Sequence, residues 1–74
     1  MLGKVSIVIE KDINGYFAFC PELKGCQTEG DTFDEAYASI KEAIELYLET
    51  LKSSEINQIL NKEIFTTNYE VAFA

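Results

Sequence analysis

The sequence has no histidine, no arginine and no tryptophan, and only one proline and two cysteines. Each scarcity removes a class of function. Without histidine there is no side chain that ordinarily titrates near neutral pH, and a Ser-His-Asp arrangement cannot be assembled. None of Ser6, Ser39, Ser53 and Ser54 lies in a nucleophile-elbow motif. Six lysines against thirteen carboxylates leave a net charge of −7. That is the wrong sign for displacing counterions from phosphates, so direct nucleic-acid binding is not expected. Attachment to an anionic membrane surface is disfavoured for the same reason. No long apolar run and no secretory leader pattern is present, which points to a cytoplasmic protein with reduced thiols.

Two thiols without an imidazole do not complete a zinc site. Cys20 and Cys26 flank a tight connection, and their expected role is as small buried apolar residues on adjacent strands. A disulfide, or a zinc site shared between two copies, are the other readings of that pair. Magnesium-dependent phosphoryl chemistry needs carboxylates in mid-strand. The first strand has Ser6, Ile7 and Val8 there, with Glu10 only at its end. No catalytic residue, metal site or cofactor is expected.

What the chain does have is acid and apolar side chains. Apolar residues make up 47% of it, enough for a folded domain. At 74 residues it is a single domain, 1–74, with a thin core that association would help to stabilise. Residues 31–52 hold six carboxylates and two lysines, net −4, so over half of the net charge falls on one segment. A field of that sign suits a basic protein partner, although it also simply keeps a protein soluble.

The pattern along the chain predicts an α+β fold. Lys4–Lys11 alternates, with Val5, Ile7 and Ile9 on one face and Ser6, Val8 and Glu10 on the other. Asn14-Gly15 is a hairpin signal, since both residues tolerate positive φ. Tyr16–Cys20 is the return strand, with Phe17 and Phe19 expected to face the core and Tyr16 left where a partner could cover it. Pro21 ends the pairing, and Glu22-Leu23-Lys24-Gly25 makes a tight connection to a third strand, Cys26–Glu29. Thr32 with Glu35 forms a capping box that opens a long helix. Its apolar stripe runs through Phe33, Ala36, Tyr37, Ile40, Ile44 and Leu48; Asp34, Lys41, Glu42, Glu45 and Glu49 lie opposite. Glu55–Lys62 reads as a short helix or ordered loop. Tyr69, Val71 and Phe73 alternate as a final strand running to Ala74. The predicted order is βββαβ: a three-stranded antiparallel meander, one long helix, and a last strand parallel to the first through a right-handed crossover.

The stretch Gly15–Glu49 reads GYFAFCPELKGCQTEGDTFDEAYASIKEAIELYLE. It closely resembles the HicB family of antitoxins, whose members carry a segment of the form GYxAxxPELPGCxTxGDTxEEAxxxxxEAIxxYLE. Lys24 departs from it, standing where the family often has proline. The resemblance implies a partial ribonuclease H-like fold without nuclease activity. It implies a function as well: binding and masking HicA, a small basic toxin that cleaves mRNA, in a type II toxin-antitoxin system. It further implies a homodimer or homotetramer. Many members carry a C-terminal DNA-binding domain; these 74 residues are expected to form the antitoxin domain without one, so operator binding is not expected of them. The residues expected to meet the toxin are Tyr16, Glu22, Leu23, Asp31, Asp34 and Glu35. A different reading is a non-catalytic homo-oligomeric structural or regulatory module with no toxin, associating through Val8, Tyr16 and the edge near Pro21.

Overall fold

The computed structural model describes residues 3–73. The elements are β1 (Val8–Asp12), β2 (Gly15–Phe19), β3 (Gln27–Gly30), α1 (Phe33–Glu49) and α2 (Ser53–Leu60). The three strands form one antiparallel sheet in the order β1-β2-β3. Ile9 pairs with Ala18, which pairs with Thr28.

The hairpin forms as the sequence predicts, with one change. Asn14 keeps negative φ, and Gly15 alone takes the positive value, φ 125°. The Asp12 carboxylate accepts from the Asn14 N–H at 2.8 Å and holds the turn. The start of the first strand is also shorter than predicted. The register sets Ser6 across from Pro21, which has no N–H to donate. Pairing begins at Val8, and the Ser6 N–H is met by a side chain and not by a strand carbonyl. The Ser6 N–H donates to both carboxylate oxygens of Glu22, at 3.0 and 2.9 Å.

The core lies between the sheet and α1: Ala18, Cys20, Leu23, Cys26, Ala36, Ile40 and Ile44. Val5, Ile7 and Ile9 pack against it as expected. The face of β2 does not follow the expectation. Ala18 and Cys20 are buried under α1, while Phe17 and Phe19 lie half-buried on the open face, their rings 5.8 Å apart. The cause is steric. Two residues join β3 to α1, so the helix must start almost on the sheet. Gly30, Ala18 and Ala36 are small enough to permit that approach; a phenylalanine in this layer would hold the helix away.

α1 begins as predicted. The Thr32 hydroxyl accepts from the Glu35 N–H at 3.1 Å. The Glu35 carboxylate reaches one residue further back than a standard capping box, to the Asp31 N–H at 2.9 Å. Tyr47 donates its hydroxyl to the Lys24 carbonyl at 3.1 Å, fastening the helix to the Cys20–Cys26 connection. The Glu55–Lys62 helix forms, as α2, and Ile59 packs against the core.

The predicted final strand does not form. Among the described residues, none from 61 to 73 pairs with the sheet, so the order is βββαα and no parallel crossover exists. Ala74 lies outside the described residues. Alternation records which side chains share a face; it does not record which chain supplies the neighbouring strand.

Candidate partner-binding face

α1 begins directly on the sheet, with the Ala36 backbone against Gly30 of β3. Phe33 and Tyr37 lie at the margin of that contact, next to Tyr16. Phe33 and Tyr37 share a stripe with Ile40 and Ile44, yet they are half-exposed at 50% and 41%. They stack on each other with centroids 6.1 Å apart, and Tyr16 meets Phe33 edge-on at 6.4 Å. Two lysines flank the row. Lys11 Nζ lies 5.6 Å from the Tyr16 ring centre and Lys41 Nζ lies 4.5 Å from that of Tyr37.

Carboxylates lie on the neighbouring surface and on the other face of the helix. Asp31, Asp34 and Glu35 are exposed in the cap and first turn of α1. Beside them is an open depression of about 480 Å3 lined by Asp12, Glu29, Asp31 and Glu35 together with Tyr16 and Phe17. Further along, Glu42, Glu45 and Glu49 are exposed on α1. The surface at the start of α1 thus combines exposed aromatic rings with exposed carboxylates.

Of the residues expected to meet a partner, Tyr16, Asp31, Asp34 and Glu35 fall together here. Glu22 and Leu23 fall elsewhere and point inward, 8% and 1% exposed. Leu23 fills the core, and Glu22 serves Ser6. Phe33 and Tyr37 join the face without having been singled out; helical periodicity assigns them to the core, and the structure leaves them half-exposed.

Burial alone would raise the Glu22 carboxyl. The Ser6 N–H and hydroxyl, the local backbone and the Cys20 thiol outweigh it and hold the group below its ordinary 4.5. Cys20 and Cys26 are free and buried. Burial pushes both thiols above the ordinary 9.0, and the Glu22 carboxylate adds to the effect at Cys20. Both are therefore protonated and poorly nucleophilic at neutral pH. Ellman's reagent is expected to modify them at least about tenfold more slowly in the native protein than after denaturation. Equal rates in the two states would contradict this burial. Among the described residues, no group of three or more His, Cys, Asp or Glu side chains is placed to hold a metal ion. No helix among them is long and apolar enough to cross a membrane.

The fold is that of a small acidic α+β domain. The sequence model for the HicB-like antitoxins of bacterial toxin-antitoxin systems matches residues 5–73, and the chain belongs to that family. Similar proteins include a UPF0150 protein of Helicobacter pylori strain J99, 50% identical over 70 residues that cover 95% of this chain and 97% of the relative. A UPF0150 protein of Archaeoglobus fulgidus is 44% identical over 62 residues, covering 82% and 90%. One from Synechocystis sp. is 57% identical over 47 residues, covering 62% and 60%. No solved structure matches the chain significantly.

Proposed function

We propose that this chain is an antitoxin that binds and masks a small basic HicA-type toxin, an mRNA-cleaving enzyme of a type II toxin-antitoxin system. The observation that carries this reading is the family match over residues 5–73. The aromatic and acidic face at the start of α1 supports a basic partner, and Asp31, Asp34, Glu35 and Tyr16 are the residues we assign to the contact. The chain acts by binding and catalyses nothing itself; it does so in the cytoplasm, as a homodimer or homotetramer. We read the meander and α1 as a partial ribonuclease H-like fold, and residues 1–74 as an antitoxin domain that contacts no operator.

Co-expression tests this. A small basic protein encoded beside this chain, toxic alone, is expected to become harmless when both are made and to co-purify with it. Undiminished toxicity with the chain present at equal level would refute the reading. The second reading, a homo-oligomeric module without a toxin, is favoured by one observation: Phe65, Tyr69 and Phe73 are 86%, 85% and 88% exposed. It requires self-association and no basic partner.

A further inference from the structure

Residues 64–73 have the pattern of a strand and the surroundings of none. Phe65, Thr67, Tyr69, Val71 and Phe73 alternate with Ile64, Thr66, Asn68, Glu70 and Ala72, so one face is aromatic and β-branched throughout. That face is in solvent. The segment also stretches the molecule. The radius of gyration is 14.5 Å and the extents are 48 × 28 × 18 Å. A globular chain of this length has a radius of roughly 11 Å.

The sheet offers a place for such a strand. Among the described residues β1 pairs only with β2, so its other edge has no neighbouring strand. α1 packs mainly over β2 and β3, and leaves Val5, Ile7 and Ile9 only half-buried on the helix side of β1. The lengths agree, since Lys4–Asp12 and residues 64–73 each span roughly 30 Å when extended. The chain's own edge is within reach, because Leu60 at the end of α2 lies against Gly3 at the start of the β1 segment. The tail nevertheless passes it by.

The geometry points to a second copy of this chain as the occupant. Residues 64–73 of one copy add to the free edge of β1 in the other, and the exchange is reciprocal. This deepens the oligomeric part of the reading above and rests on nothing in its toxin part. Charge favours the arrangement. Two copies at −7 each repel, but the surfaces brought together are nearly neutral: Lys4, Glu10, Lys11 and Asp12 on the β1 segment, and Glu70 alone on the tail. Exchange also closes on itself, since each copy gives one strand and covers one edge. Three rings from each tail, at roughly 150–250 Å2 apiece, bring the buried area to about 1,000 Å2 before any other contact is counted. The acidic start of α1 is left uncovered.

Sedimentation of the purified chain without any toxin tests the proposal. At about 50 µM the wild type is expected to be a dimer or a multiple of one. Tyr69→Asp with Phe73→Asp is expected to raise the dissociation constant at least about 100-fold, with the helical circular dichroism unchanged. Mixed samples of labelled and unlabelled chains give the location. Contacts from the Tyr69 ring to the Ile7 methyls are expected between chains. A monomeric wild type, a dissociation constant moved less than about twofold by the double substitution, or tail contacts found within one chain only would each overturn it. Toxin neutralisation is read separately in co-expression, so either reading can fail without the other.

Discussion

Gly30→Ala is expected to lower the melting temperature by about 10–20 °C. A Cβ at Gly30 would lie 2.7 Å from the Ala36 backbone nitrogen, 3.1 Å from the Ala36 Cα and 3.1 Å from the Glu35 Cβ. No rotamer change relieves a clash with backbone, so the helix must lift from the sheet or the connection must distort. Overpacking of this kind costs about 2–3 kcal/mol, and each kcal/mol moves a domain of this size by about 4–8 °C. Gly30 does not have positive φ, so the effect reports the closeness of helix and sheet alone. Gly25→Ala is the contrast. Gly25 has φ 81° and open space around it, so its cost of about 1–2 kcal/mol comes from conformation without a clash. Thermal melts followed by circular dichroism check both. A Gly30→Ala protein melting within about 2 °C of the wild type would contradict the packing described.

Glu22→Gln is expected to destabilise the fold by about 2 kcal/mol, because a buried carboxylate that accepts from the Ser6 N–H and hydroxyl is replaced by a group that must turn a donor toward them. The loss depends on pH. The folded carboxyl titrates below its ordinary 4.5, so its stabilisation is fully present above that value and fades as pH falls through the folded value. The gap in melting temperature between wild type and Glu22→Gln should therefore be widest near about pH 6 and should narrow toward about pH 3. Comparing the two proteins at each pH removes the contribution of the other carboxylates. A gap that does not change with pH would mean that Glu22 does not act through its charge.

Glu22 also shows where sequence reasoning stops. Its position after Pro21 suggests a turn, and an acid in a turn suggests a surface. Only the structure shows that the Ser6 N–H, just short of the paired stretch, takes the Glu22 carboxylate as its acceptor. The hairpin at Gly15, the cap at Thr32 and the buried stripe of Ala36, Ile40 and Ile44 were legible because each is a local rule about neighbours within a few residues. The face of β2 was not. Phenylalanine is the more apolar choice for a core, but Ala18 and Cys20 are inside because a helix that starts two residues after β3 tolerates only small side chains beneath it. Phe33 and Tyr37 escaped as well, since periodicity gives the stripe and not how deeply each member of it is covered. The tail is the converse case. Its alternation predicts a final strand, and that strand does not form, because alternation fixes which side chains share a face and not whether an edge is paired.

The antitoxin reading depends on a surface recognised by a basic protein. Its most direct test uses purified components: this chain, the small basic protein encoded beside it, and an RNA substrate. Addition of the chain is expected to stop cleavage at a stoichiometric ratio. Asp31→Lys with Asp34→Lys is expected to weaken binding by at least about 100-fold, after melts have shown that the variant folds. RNA cleavage that continues at full rate in an excess of the folded wild-type chain would contradict the account.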